Sequence, residues 1–141
     1  MRNGKINPKN YPFWPELIEI LQSHGHEVIQ VGLPDEPKLV ANFQTLSYKE
    51  LRELINTCDI WIGIDSFFQH LAWTEGRPGI VLFGPSNPNI FGHEENINMF
   101  TGPEYFRPDQ FGIWEDCDYN PAAFVTPGEV FKRINRMYDN I

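Results

Sequence analysis

The chain has 141 residues, with 11 Lys plus Arg against 19 Asp plus Glu and a formal charge of −8 at pH 7. Its basic residues stand mostly alone until Lys132, Arg133 and Arg136. That argues against nucleic acid as a partner, because phosphate backbones are bound by clustered Lys and Arg that release counterions. Aromatic residues make up 14% of the chain, too many for a disordered segment, and the length suits one core in a single domain over residues 1–141.

No apolar stretch reaches the roughly 20 residues of a membrane helix, and Met1-Arg2-Asn3-Gly4-Lys5 leads into Pro and Asn rather than an apolar signal core. A cytoplasmic location is therefore expected. Cys58 and Cys117 belong to no paired-cysteine motif, so reduced thiols are expected in place of a zinc site or a disulfide framework.

Residues 15–24 (PELIEILQSH) put Leu17, Ile18 and Leu21 on one helical face, with Pro15 suited to the first helical position and Gly25 to a left-handed cap. Residues 27–31 (EVIQV) form a β-prone run that stops at Gly32, and Leu33-Pro34-Asp35-Glu36-Pro37 reads as loop. Ser47 and Glu50 have the spacing of a capping box, which opens a helix over about 48–57. Residues 59–64 (DIWIGI) are a nearly continuous apolar run, as a strand covered on both faces in a parallel sheet requires, and they end at Asp65-Ser66.

Helical spacing returns over 67–75 (FFQHLAWTE), with Asp65 or Ser66 as cap and Gly76 at its close. A second buried strand follows at 79–83 (GIVLF), broken by Gly84-Pro85, and a third is expected from Ile97 to Phe100 after a long polar loop. Residues 101–125 show little periodicity. Thr126, Pro127 and Glu129 open a final helix with Val130, Phe131, Ile134, Met137 and Tyr138 on one face. Trp61, Trp73 and Phe83 are expected in the core, and His24 and His26 at a helix end.

This alternation predicts an α/β fold with a single Rossmann-like, doubly wound, mostly parallel sheet. Residues 1–14 read as loop, so the sheet is expected to lack the strand with which such folds usually open.

In open α/β sheets ligands bind beyond the carboxyl ends of the strands, where N–H groups at helix N-termini favour anions. Three segments meet that description: Gly32 to Pro37, Asp65-Ser66-Phe67, and Gly84-Pro85-Ser86-Asn87. Ser66 can offer its hydroxyl and the following N–H groups to a phosphate, and Asp65 can accept hydrogen bonds from sugar hydroxyls. The plainer reading is that both only cap the helix. His70, one turn beyond Ser66, is placed to reach the same ligand, to orient Asp65, or to serve as a hydrogen-bonded core residue. His93 and Glu94 make two ligands without a third, so no metal is expected. The chain has no Walker loop, no G-x-G-x-x-G and no G-x-S-x-G, the usual markers of P-loop phosphoryl transfer, hydride transfer and serine hydrolysis.

Residues 59–88 (DIWIGIDSFFQHLAWTEGRPGIVLFGPSNP) resemble the signature of glycosyltransferase family 9, the heptosyltransferases of lipopolysaccharide synthesis. In that family a strand leads to Asp-Ser-Gly, then His-Leu-Ala on a helix, then a strand ending in Phe-Gly-Pro and Ser or Thr. Asp65, Ser66, His70, Leu71, Ala72, Phe83, Gly84, Pro85 and Ser86 fall in register. The likeness extends upstream through Trp14-Pro15, and downstream through Cys117 and the Pro127-Gly128-Glu129-Val130 helix start. It implies a GT-B architecture of two Rossmann-like domains, of which this chain resembles the C-terminal, donor-binding one. The N-terminal acceptor domain, and with it the general base, is expected to be absent.

The resemblance implies that Asp65 and Ser66 face the sugar and diphosphate of a nucleotide-sugar donor, with His70 supporting that loop and Ser86 also among the donor-binding residues. Lys5 or Lys9 would neutralise the diphosphate, and Asp35 or Glu36 would reach the ribose. The family's glycine is Phe67 here, and Phe68 and Gln69 follow, giving a bulkier, amide-bearing wall suited to selecting another donor. No cofactor or metal is implied beyond the donor itself. The implied partners are a glycan or lipid-linked sugar acceptor, with a separately encoded acceptor-binding chain or a homo-oligomer to complete the enzyme. Two readings compete: a binding module for a nucleotide or nucleotide sugar without turnover, and a remnant that associates through an exposed sheet edge.

Overall fold

The computed structural model describes residues 7–113 and 116–139. In chain order the elements are α1 (Trp14–Ser23), β1 (Gln30–Val31), β2 (Phe43–Gln44), α2 (Tyr48–Thr57), β3 (Ile62–Ile64), α3 (Phe67–Thr74), β4 (Ile80–Leu82), α4 (Pro88–Phe91), β5 (Ile97–Met99) and α5 (Pro127–Asp139). They gather into two compact units, one of Met1–Pro12 with Ile55–Val125 and one of Phe13–Leu54 with Thr126–Ile141.

In the second of these units α1 packs on α5. Leu17 and Leu21 of α1 and Val130 and Ile134 of α5 are buried, as their spacing predicts. The end of α1 is closed by Gly25 at φ +85°, and by the His24 ring, whose Nδ1 lies 2.8 Å from the Ile20 carbonyl. A carbonyl can only accept, so that nitrogen carries the proton and satisfies a helix-end oxygen. The same ring rests on Phe131 at 4.4 Å.

β1 and β2 pair in parallel, Gln30 opposite Phe43 and Val31 opposite Gln44. The expected strand over 27–31 shortens to two residues because its partner is only two residues long. Phe43–Gln44 has no alternation that would announce it. The proline-rich segment after β1 is tied down by Gln30, which donates to the Pro37 carbonyl at 2.9 Å and accepts from the Leu39 N–H at 2.8 Å.

The first unit holds a parallel sheet in the order β3-β4-β5, with Ile62, Ile80 and Ile97 in register. β4 is the middle strand, and Ile80, Val81 and Leu82 are fully buried, as an unbroken apolar run demands. Of the run that precedes β3, the Trp61 carbonyl still reaches the sheet, accepting from the Ile80 N–H at 3.0 Å, while its indole turns onto Gly79, where a Cβ would collide with the ring, and donates Nε1 to the Arg77 carbonyl at 2.9 Å. Arg77 in turn reaches the carbonyls of Ile55 and Cys58 at 3.2 and 2.6 Å. The α/β class and the parallel pairing are as expected, with the strands among the described residues divided between two sheets rather than joined in one.

Residues 7–13 form turns without a strand. Tyr11 is nonetheless buried, its hydroxyl donating to the Val125 carbonyl at 2.8 Å and its ring edge-on to Phe124. The expected polar loop after Pro85 contains α4, opened by Asn87, whose side chain accepts from the Asn89 N–H. Trp73, expected in the core, is 50% exposed. α3 turns Gln69, Leu71 and Ala72 inward, and the next residue stacks its indole on His93 at 4.8 Å instead. Among the described residues no helix is long and apolar enough to cross a membrane.

Candidate functional site

β3 ends at Ile64 and α3 begins at Phe67, so Asp65 and Ser66 occupy the turn at the carboxyl end of a parallel strand. Ser66 is the N-cap residue, with extended backbone, yet its side chain makes no capping hydrogen bond and is exposed to solvent. The hydroxyl thus stands uncapped and exposed at the N-terminus of α3, the end where the helix dipole favours an anion.

Asp65 is 92% buried, being only 8% exposed. Its Oδ1 accepts from Gln69 Nε2 at 3.1 Å, and its Oδ2 lies 3.3 Å from Lys9 Nζ, an ion pair without hydrogen-bond geometry. Lys9 comes from the N-terminal segment of the same unit, where its backbone N–H donates to Asn7 Oδ1 at 3.0 Å and Tyr11 anchors the following turn. The ammonium also sits 5.8 Å from the centre of the Phe91 ring, within cation–π range. A buried carboxylate alone would be costly, and the nearby ammonium offsets that cost.

Gln69 has no exposed surface, so its amide is an inner support to Asp65 rather than a wall open to solvent. Its Nε2 also donates to the Phe91 carbonyl at 3.3 Å, and its Oε1 has no hydrogen-bond partner. Phe67, beside Ser66, is 52% exposed, whereas Phe68 packs edge-on to Trp61 at 5.3 Å.

His70 is exposed, and its Nδ1 is 2.8 Å from Nε2 of His93, so the two rings share one hydrogen bond. The α3 residue hydrogen-bonded to Asp65 is Gln69, while His70 pairs with His93. The pair acquires no third imidazole, thiol or carboxylate able to complete a metal site among the described residues.

The other expected residues are placed as follows. Ser86 is buried just beyond β4. The neighbouring helix end is already occupied: Asn87 caps it, Pro88 lacks an N–H, and the Asn87 N–H donates to Gln110 Oε1 at 2.8 Å. Asp35 and Glu36 belong to the other unit, on an exposed turn after β1. Lys5 lies outside the described residues. Lys9, Asp65, Ser66 and Gln69 are brought together, with Phe67 at their edge. Sequence reasoning missed Phe91, whose ring and carbonyl serve Lys9 and Gln69; the available signal was Asn87-Pro88, a cap followed by proline at the first helical position.

A cleft of about 470 Å³ lies elsewhere in this unit, lined in part by Glu104, Arg107, Asp109, Asp116, Cys117 and Asp118. Four carboxylates against one guanidinium make it a poor seat for a diphosphate, and Arg107 already donates to the Ile113 carbonyl at 2.7 Å. Burial pushes the Cys117 thiol above its usual range, more than the nearby Arg107 lowers it, which disfavours a reactive thiolate. The chemistry of anion binding points instead to the start of α3.

The model of glycosyltransferase family 9 (heptosyltransferase) matches residues 3–109, a span that includes every member of the Lys9–Asp65–Gln69 cluster. No curated protein matches the chain, and no solved structure does.

Proposed function

Because the chain belongs to glycosyltransferase family 9, we propose that it binds the nucleoside-diphosphate sugar of a glycosyl-transfer reaction where β3 turns into α3. The observation that carries this reading is the uncapped Ser66 at the N-terminus of α3, beside a buried carboxylate with Lys9 held against it. The exposed Ser66 hydroxyl and the Lys9 ammonium, with the positive end of the α3 dipole behind them, meet the charge that develops on the departing diphosphate. Asp65 accepts hydrogen bonds from hydroxyls of the transferred sugar. With this charge met by protein groups, the reaction needs no metal.

Asp65 is engaged on both oxygens, by Gln69 and by Lys9, which favours a donor-binding role over that of a base toward the acceptor. The base then comes from an acceptor-binding domain or partner chain, and the acceptor is a glycan or lipid-linked sugar of the lipopolysaccharide kind, handled in the cytoplasm. If no partner restores transfer, the same site serves a non-catalytic nucleotide-sugar binding module.

Calorimetric titration of the purified chain with ADP, UDP, GDP and CDP and their sugar conjugates tests the reading. One base is expected to bind, with its sugar conjugate weakened by roughly 10- to 100-fold in Asp65→Ala, the scale of a lost hydrogen bond to a charged group. Unchanged affinities in both Asp65→Ala and Ser66→Ala would overturn it.

A further inference from the structure

Gln69 is the polar exception among the largest fully buried side chains, whose company is otherwise Phe83, Ile80, Leu82, Ile55 and similar apolar groups. Packing alone does not call for an amide here. A buried amide loses hydration, and this one leaves Oε1 without a donor, so an apolar side chain of the same volume would fill the space at lower cost. What the amide does provide is two hydrogen bonds from a single nitrogen, one to Asp65 Oδ1 and one to the Phe91 carbonyl. Both partners are acceptors, which fixes which end of the amide faces them. The Asp65 carboxylate is thereby held from beneath through one oxygen, and its other oxygen is turned toward Lys9.

We propose that Gln69 is a positioning residue that sets the direction of the Asp65 carboxylate, and through it the recognition of the donor's sugar. This rests on the donor-binding reading above. Gln69 stands four residues after Asp65, one helical turn, so its side chain reaches back over the start of α3. Its second bond, to the last residue of α4, ties the direction of Asp65 to a third element of the same unit. Ser66 lies outside this relay, so its contribution to the diphosphate is separable from the recognition of the sugar through Asp65, with Lys9 touching both.

The test compares affinities for a nucleoside diphosphate and for its sugar conjugate, using whichever base the unmodified chain prefers among ADP, UDP, GDP and CDP. The readout is the ratio of the two affinities in the unmodified chain, in Gln69→Met and Gln69→Leu, in Asp65→Asn, and in the Asp65→Asn/Gln69→Met double variant. The inference expects the preference for the sugar conjugate to fall at least tenfold in both apolar variants, and the double variant to show no further loss beyond Asp65→Asn. Both apolar variants should still unfold cooperatively, at a lower midpoint than the unmodified chain, because Asp65 Oδ1 and the Phe91 carbonyl lose their donor.

A ratio unchanged in both apolar variants while Asp65→Asn lowers it would overturn the positioning role and leave the donor site standing. Losses that simply add in the double variant, or a failure of both apolar variants to fold cooperatively, would make Gln69 a packing residue and likewise overturn it. If Asp65→Asn itself leaves the ratio unchanged, or if no probe binds the unmodified chain, the donor-binding reading falls first and takes this inference with it.

Discussion

Two helices of this chain begin just after a serine, and the two serines are used differently. Ahead of α2, Ser47 and Glu50 bond reciprocally: the Glu50 N–H donates to the Ser47 hydroxyl at 3.2 Å, and the Ser47 N–H donates to Glu50 Oε1 at 3.1 Å. Ahead of α3, Ser66 holds the same position without any side-chain cap, and the residue three places on is Gln69, which turns away to Asp65. One helix start satisfies itself; the other leaves its serine hydroxyl uncapped and exposed. A helix N-terminus becomes informative about function when the residues able to cap it do not.

Exchanging the roles of these serines is the sharpest way to break that comparison. Ser66→Ala should weaken nucleoside-diphosphate binding roughly tenfold, about 1.4 kcal/mol, while the unfolding midpoint in the absence of ligand stays within the small range of neutral surface changes. Titration and thermal unfolding of the same sample would show this, and a large loss of stability without loss of binding would reverse the assignment. Ser47→Ala should do the opposite: about 1 kcal/mol of stability lost with its cap, and nucleotide affinity unaltered.

A smaller effect concerns pH. The hydrogen bonds from the Ser47 backbone and then its side chain hold the Glu50 carboxyl below its ordinary value. A carboxyl with a lowered folded pKa adds stability above its unfolded pKa, and that contribution disappears as pH falls through the folded value. Glu50→Gln should therefore make the decline of the unfolding midpoint below about pH 4.5 shallower. A parallel decline in both proteins would mean the box contributes nothing measurable. No matching change is expected from Ser66→Ala, since its hydroxyl holds no carboxylate.

The capping boxes and caps were legible in the sequence because their partners lie three or four residues apart. Ser47–Glu50, Gly25 and Gly76 appear where spacing puts them, with both glycines at positive φ. The buried run over β4 was legible for the same local reason. β2 and α4 were not, because two and four residues carry no period; both exist through what they pair with or cap. Trp73 misled because an apolar residue at the border of a helical face can turn either way, and here His93 offers it a stacking partner outside.

At the site, Asp65 and Ser66 were readable as the turn between a buried strand and a helix. Their partners were not. Lys9 arrives from 56 positions upstream, and Gln69 looked like part of the wall because a sequence does not say which way an amide points once the helix is packed. His70 had the spacing to reach Asp65, but His93, from the segment after α4, engages it instead. Long-range contacts decided the outcomes at Lys9 and His70, while the Gln69–Asp65 bond spans only one helical turn.

The most direct test of the account is thermal unfolding of the unmodified chain, Ser66→Ala and Asp65→Ala, each against ADP, UDP, GDP and CDP and their sugar conjugates. A ligand at 100 times its dissociation constant adds about 2.7 kcal/mol to the folded state, which moves the midpoint by several degrees. The account predicts that one base and its sugar conjugate raise the midpoint of the unmodified chain. Ser66→Ala should then reduce the shift from both, and Asp65→Ala chiefly that from the sugar conjugate. A cooperatively unfolding chain whose midpoint no nucleotide moves, or whose shift survives both substitutions intact, would contradict it.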